Sequence, residues 1–145
     1  MPKVKQFFSQ PEKIVDAIKQ TESTTSGEIK VHVESENNKE VMLRAQEVFL
    51  MLDMHLLPQK NGVLIYISVR DKEICIIGDK NIHNTVGHNF WNDTVYKMSQ
   101  HFKNRQFDTG TIEAILEIGQ KLKIFFPFDH TTKSNDLSDD ISYGE

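Results

Sequence analysis

Three polar residues, Glu28, Asn61 and Asp79, each stand at the end of a predicted strand. Glu28 opens the run EIKVHVE, Asn61 precedes GVLIYISV, and Asp79 follows EICIIG. Parallel pairing of the first two strands and antiparallel pairing of the third would place all three residues at one edge of a sheet. Because two carboxylates and an amide oxygen suit a hard cation, the sequence predicts a calcium or magnesium site that retains several waters.

The same residues also have simpler interpretations. Glu28 and Asp79 could be solvated turn residues, and Asp79 could cap the helix that follows it. Asp71 or Asp108 would be the acidic contributors if the strand order differed from the predicted one. Arg70 and Asp71 fall at the opposite edge of the predicted sheet, where ordinary hairpin chemistry explains them.

Other catalytic patterns are missing from the sequence. GxSxG, P-loop and GxGxxG patterns do not occur, and no catalytic residue is assigned. His83 and His88 are five positions apart, which does not align them on one helix face, so a zinc site is not predicted. Cys75 lies inside an apolar run and is interpreted as a small buried hydrophobic residue. His32 is interpreted as a half-exposed packing residue of a strand.

A hairpin predicted over residues 61–78 would position Asn61 and Asp79. Residues 63–69 are apolar at nearly every position, which is typical of a strand covered on both faces. The short polar turn 70–72 makes the next strand antiparallel to it. In the first strand apolar and polar residues alternate from position 28, which predicts one partly wet face. The amphipathic helix after it forms a crossover that sets the first two strands parallel.

Helices are predicted to cover this sheet, so the fold class is α/β: a three-layer α/β/α sandwich with a mostly parallel central sheet and an antiparallel hairpin strand. The first helix follows a capping box at Ser9 and the last begins at Asp108 as its cap. One domain is predicted over residues 9–127. Residues 128–145 have almost nothing to bury and are predicted to be a disordered acidic and polar tail.

Charge and hydropathy exclude several classes of partner. The net charge is −4, and Lys and Arg are spread along 145 residues, so no nucleic-acid footprint is present. No run approaches the roughly 18 apolar residues of a membrane span, and the N-terminus has no apolar signal core. The sequence therefore predicts a soluble, cytoplasmic protein, expected to be a monomer.

Several runs together resemble the TPM domain family over about residues 9–127: TSGEIKVHVE, RAQEVF, NGVLIYISVRDKEICIIGDKNI, FW, and GTIEAILEIGQKL followed by FFP. The family takes its name from a thylakoid lumen protein, a photosystem II repair protein and a worm modulator of acetylcholine receptors. The resemblance implies a three-layer α/β/α domain, divalent-metal binding at acidic loops, with calcium in some members, and an acid phosphatase activity reported for a plant member.

The family pattern is matched unevenly. Gly62, Val63 and Leu64 match the strand entry, and Gly78 matches the first glycine of a G-x-G-like turn, with Asn81 near the second. An aspartate that many members carry before the first helix has no clear counterpart in KQFFSQPEK. Many relatives also carry a signal peptide and a C-terminal membrane anchor, so this chain resembles a short soluble form.

The favoured functional prediction is a TPM-type interaction or regulatory module that binds calcium or magnesium. The alternative is a metal-assisted acid phosphatase acting on phosphate monoesters, in which a cation near Glu28 and Asp79 would polarise a phosphoryl oxygen. A third hypothesis is a scaffold that uses the acidic tail. Enzymatic activity is thus left open, and the predicted partner is an unidentified protein or a small phosphorylated ligand.

Overall fold

The computed structural model describes residues 4–87, 89–129 and 137–144. Within these residues the chain forms short 3-10 turns, five α-helices and a four-stranded sheet. In chain order the elements are a 3-10 turn at Val4–Gln6, α1 (Pro11–Glu22), β1 (Glu28–Glu34), α2 (Val41–Met51), a 3-10 turn at Met54–Leu56, β2 (Gly62–Ser68), β3 (Glu73–Gly78), α3 (Lys80–Val86), α4 (Asn92–Lys103), α5 (Phe107–Phe125) and β4 (Ser142–Tyr143).

The sheet has the order β3-β2-β1-β4. β1 runs parallel to both β2 and β4, and β2 runs antiparallel to β3. All seven residues of β2 are buried, as the continuous apolar run predicted for an interior strand. The predicted α/β class, the parallel first pair and the antiparallel hairpin are confirmed.

Helices cover both faces of the sheet and create two apolar clusters. On one face, β-strand residues such as Val31 and Ile65 pack against α1, α3, α4 and α5. On the other face, Leu64 and Tyr66 pack against α2 and the 3-10 turn that contains Met54. These layers give the predicted three-layer sandwich. None of the helices in the described ranges combines the length and the apolarity needed to cross a membrane.

β1 differs from the prediction of a partly wet face, because all seven of its residues are buried. Its polar residues Lys30, His32 and Glu34 lie on the face that α2 covers, and each is less than 10 % exposed. Residues 137–144 cover the outer edge of the strand. The interpretation of His32 as half-exposed is therefore wrong.

The predicted disordered tail over 128–145 is wrong for residues 137–144. There, His32 pairs with Ser142 and Val33 with Tyr143, and the N–H of Gly144 donates to the carbonyl of Val33 at 2.8 Å. The physical reason is hydrogen bonding, since this segment contributes little apolar surface but pairs with an otherwise open strand edge. Residues 130–136 and residue 145 lie outside the described part of the chain.

The starts of two helices are joined by one carboxylate. α1 begins at Pro11 as predicted, but the residue before it makes no side-chain cap. Instead Asp108, which was predicted to cap the last helix, accepts hydrogen bonds from the N–H groups of Ser9 at 3.0 Å and Gln10 at 2.7 Å. α5 begins one residue earlier, at Phe107. Asp108 thus ties α5 to the segment that leads into α1.

Candidate functional site

The backbones of the three predicted metal ligands meet at one end of the sheet. Glu28 pairs with Gly62 across β1 and β2, and the N–H of Glu28 donates to the carbonyl of Asn61 at 3.3 Å. The N–H of Asp79 donates to the carbonyl of Gly62 at 2.9 Å. The connectivity therefore places the backbones of Glu28, Asn61 and Asp79 side by side where the strands begin or end. We call this end of the sheet the Gly62 edge.

The two carboxylates at the Gly62 edge start from backbone positions on either side of β2. Glu28 and Asp79 both lie opposite Gly62, on the same face of the sheet, so two strand spacings separate their Cα atoms, about 9–10 Å. Apolar side chains occupy the space above the glycine: a Cβ atom at Gly62 would lie 2.9 Å from Leu57 Cδ1 and 3.3 Å from Met54 Cε. Asn61 precedes the strand by one residue and therefore points to the other face.

Each of these side chains also has its own partner. Glu28 Oε1 accepts a hydrogen bond from the N–H of Leu137 at 2.9 Å, and Asn61 Nδ2 donates to the carbonyl of Ser26 at 3.1 Å. Asp79 Oδ1 accepts from the N–H of Lys80 at 2.7 Å, so it caps α3 as the simpler interpretation predicted. Asp79 Oδ2 is buried and finds no hydrogen-bond partner within the described residues.

The described ranges 4–87, 89–129 and 137–144 contain no group of three or more His, Cys, Asp or Glu side chains arranged to hold a cation. Metal binding by Glu28, Asn61 and Asp79 together thus stays a prediction that the side-chain geometry does not favour. Asp71 is no substitute at the opposite end of the sheet, because its Oδ2 accepts from Ser68 Oγ at 2.6 Å and from the N–H of Asn37 at 2.9 Å.

Sequence reasoning missed a buried polar cluster on the same face, formed by Glu34, Arg44, Tyr66 and His32, which we call the Glu34 network. Arg44 donates from Nε and Nη2 to the two carboxylate oxygens of Glu34 at 2.9 and 3.0 Å, a bidentate arrangement. The hydroxyl of Tyr66 donates to the same carboxylate, and His32 Nε2 lies 3.0 Å from it.

The Glu34 network fixes the charge states of its members. Burial would raise the pKa of Glu34, but the hydrogen bonds from Arg44, Tyr66 and His32 outweigh burial and lower that pKa to about 2. Burial and the bond to Glu34 raise the pKa of the Tyr66 hydroxyl. Burial lowers the pKa of His32, and its bond to Glu34 opposes that shift only in part. Glu34 is therefore a permanent carboxylate near neutral pH, a state suited to structure rather than to proton transfer.

Lys30 continues this buried polar row towards the Gly62 edge. Its Nζ donates to the carbonyls of Ser138 at 3.1 Å and Asp140 at 2.7 Å. Burial lowers the pKa of Lys30, and the nearby charges of Asp140 and Asp139 oppose this shift only in part. His32 Nδ1 lies 2.8 Å from Ser142 Oγ. The polar row of β1 therefore holds the C-terminal strand in place. The alternation of charged and apolar residues in β1 was the sequence signal for it.

Two other predicted residues have clear positions. Cys75 is buried, and burial raises the pKa of its thiol to about 11, which confirms its interpretation as a small hydrophobic residue rather than a nucleophile. His83 is exposed on α3, and His88 lies outside the described residues. Arg70 pairs with Glu36 at 3.5 Å at the hairpin end of the sheet, away from Asp79.

A cavity of about 500 Å³ lies beside β3, within the size range of ligand pockets. Its walls come from α2, from β3, from α3 and from single residues such as His55 and Trp91. Leu50 and Phe49 line it on one side, Trp91 lines it on the other, and Asp79 and His83 stand at its polar end. The Gly62 edge and this cavity are thus neighbours through Asp79.

The layered sheet, its antiparallel hairpin and the polar edge define a small α/β/α domain without a recognisable catalytic constellation in its described residues. The model of the TPM domain family matches residues 4–121, so the chain belongs to the TPM domain family. A search of curated proteins gives no match.

Two solved structures are similar to this chain. The NMR structure of the BA42 protein from the psychrophilic bacterium Bizionia argentinensis has a TM-score of 0.89 and 38 % sequence identity, and the match covers 99 % of this chain and 100 % of that one. The solution NMR structure of the N-terminal domain of a protein from P. gingivalis has a TM-score of 0.69 and 12 % identity, and the match covers 84 % of this chain and 80 % of that one. The second likeness concerns the fold alone.

Proposed function

We propose that this TPM-family protein is an interaction or regulatory module that binds calcium or magnesium weakly at Asp79. The observation that supports the cation site is the carboxylate of Asp79, because its Oδ1 caps α3 while its buried Oδ2 has no hydrogen-bond partner within the described residues. Leaving such an oxygen unpaired costs on the order of 1–3 kcal/mol, and a cation that reached it from the adjoining cavity, after a small movement of the side chain, would remove this cost.

The other two predicted ligands contribute less to the proposed site. The Glu28 carboxylate holds Leu137, and the Asn61 amide holds Ser26. With Asp79 as the main protein ligand, water would fill most of the coordination positions, and the affinity is expected to be modest.

Exposed apolar side chains on α2 support the interaction role. Met42, Leu43, Leu50 and Met51 are 38 %, 56 %, 55 % and 65 % exposed. They lie on one helix and adjoin the cavity beside β3 through Met42 and Leu50. Two pairs of exposed apolar side chains on one helix, next to a cavity, are more typical of a binding surface than of a solvated helix face.

The phosphatase alternative ranks below this proposal. A phosphate monoester would need a cationic clamp near the cation, and Arg70 lies at the hairpin end, next to Glu36. A cytoplasmic location and a monomeric state stay predictions.

The test is a titration of the whole chain with calcium and with magnesium, followed by amide shifts and melting temperature. We expect saturable shifts at Asp79 and Lys80, and a melting temperature that rises with the logarithm of cation concentration. Both effects should vanish in Asp79→Asn and persist in the matched control Asp93→Asn, whose carboxylate is exposed in the first turn of α4.

Hydrolysis of p-nitrophenyl phosphate is measured on the same samples. Turnover that survives repeated purification and is lost in Asp79→Asn would replace the module with the phosphatase. If millimolar cation changes neither the shifts nor the melting temperature, the cation part of the proposal is wrong.

A further inference from the structure

The two edges of the sheet differ. The outer edge of β1 is covered by β4, whereas β3 has no strand beyond it within the described residues. The N–H of Asp79 donates to the carbonyl of Gly62 in β2. In an antiparallel pair, every second residue bonds to the neighbouring strand, and the backbone groups of the residues between them point away from it. In β3 the residues that point away from β2 are therefore Ile74, Ile76 and Gly78. None of the turn, loop and cap hydrogen bonds between described backbone groups uses these three residues.

The cavity beside β3 straddles this open edge. Ile76 belongs to the apolar cluster that includes Trp91, and Ile77 packs with the cluster of Phe49 on the opposite face of the sheet. Since all four residues line the same cavity, the cavity has an apolar wall on each side of the outward backbone groups. Such a groove has the shape and the chemistry that accept an added strand.

β3 also lacks several of the features that usually protect an edge strand from pairing, while its central outward residue Ile76 is 6 % exposed. Residues 74–78 contain no lysine and no proline, and none of them has a positive φ angle. The wall residue Leu50 is 55 % exposed. An unpaired apolar strand edge beside an exposed apolar side chain of a helix is typical of a surface that is covered when the protein performs its role.

The charges around β3 discriminate between possible occupants. In a symmetric antiparallel pair of two copies with Ile76 opposite Ile76, Glu73 would face Asp79, and the two lysines that flank β3, Lys72 in the hairpin turn and Lys80 at the start of α3, would lie near each other. Like charges directly opposite each other destabilise a strand pair. A second copy in this register is therefore a poor occupant, whereas a segment with an acidic residue beyond each end of its apolar stretch complements the two flanking lysines.

We infer that β3 binds an extended segment of a partner protein as an additional strand, with alternating apolar residues between two acidic residues. The inference rests on the proposed interaction role and does not require the cation. It specifies the partner by chemistry: about nine residues long, free of proline, acidic at both ends and uncharged opposite Glu73 and Asp79.

The probe is the peptide Asp-Thr-Val-Thr-Val-Thr-Val-Thr-Asp with blocked termini, titrated into the full chain without added metal. We expect saturable shifts at the amides of Ile74, Ile76 and Gly78. Two control peptides carry N-methyl groups, one on every valine and the other on every threonine. Because only one set of amides faces β3, one control should lose at least tenfold in affinity and the other should not.

Leu50→Glu tests the wall of the groove and should weaken binding at least tenfold, while the matched variant Leu116→Glu, on α5 and 40 % exposed in the parent chain, should leave it unchanged. Equal binding of the two methylated peptides, or no shifts at β3, would overturn the inference. So would concentration-dependent self-association that shifts the same amides, because a second copy would then be the occupant. If calcium shifts Asp79 but the peptide does not bind, the inference fails and the proposed function stands.

Discussion

Replacing Arg44 with methionine would remove the cation of the Glu34 network while keeping most of the side-chain volume. Glu34 is 2 % exposed and receives both of its Arg44 hydrogen bonds at 3.0 Å or less. Removing one partner of a buried ion pair leaves the other charge uncompensated. We therefore expect Arg44→Met to lower the free energy of unfolding at pH 7 by about 3–5 kcal/mol.

The pKa of Glu34 gives an independent magnitude. Its pKa is lowered from 4.5 to about 2, and at 1.36 kcal/mol per unit this corresponds to about 3 kcal/mol in favour of the carboxylate. Because the pKa is lower in the folded state, this stabilisation is complete above pH 4.5 and is lost as the pH falls through about 2. In Arg44→Met, burial would prevail and raise the pKa, so the stability deficit should shrink between pH 7 and pH 4.

Urea unfolding at pH 7 and pH 4, followed by the fluorescence of Trp91, measures both effects. The matched control is Arg70→Met, whose ion pair with Glu36 is exposed and should contribute less than about 1 kcal/mol. The double variant Arg44→Met with Glu34→Gln should be less destabilised than the sum of the single changes. A loss below about 1 kcal/mol in Arg44→Met, or an equal loss at both pH values, would refute this account of the network.

Two further changes test the sheet by calorimetry. Ile65→Ala in the fully buried β2 should cost about 2–5 kcal/mol, and a loss below 1 kcal/mol would contradict an interior position. Deleting residues 137–145 removes both carbonyl partners of Lys30. Each buried polar group left unpaired should lower the free energy of unfolding by about 1–3 kcal/mol. The deletion should therefore lower the melting temperature and increase amide exchange in β1. An unchanged melting temperature would show that this segment does not stabilise the fold.

The sequence was sufficient for the elements with strong periodicity. The hairpin 61–78 and the parallel pairing of β1 with β2 follow from apolar runs, a short turn and a helical crossover, and these signals are local. α1 begins at Pro11 as predicted, and α5 begins at Phe107, one residue before its predicted cap Asp108. The location of Glu28, Asn61 and Asp79 at one end of the sheet follows from the same connectivity.

The arrangement of the side chains at that edge could not be predicted in the same way. It depends on Leu57 and Met54, which lie above Gly62, on the strand between those that lead to Glu28 and Asp79. Likewise, the Glu34 network depends on the position of Arg44 on α2 relative to β1. Neither contact has a periodic signature, because each is set by how a helix or turn docks on the sheet rather than by the local sequence.

The C-terminal strand β4 explains how the outer edge of β1 differs from the outer edge of β3. A polar row on β1 is compatible with a wet face, but it is equally compatible with a buried row whose partners are distant carbonyl groups, and Lys30 shows the second case. Its partners come from a segment too short and too polar to be recognised as a strand. The chain thus covers its polar edge with its own backbone, whereas no described strand pairs with the apolar edge at Ile74 and Ile76. Since burial of apolar groups is the stronger drive for association, the open edge is where a partner gains most by binding.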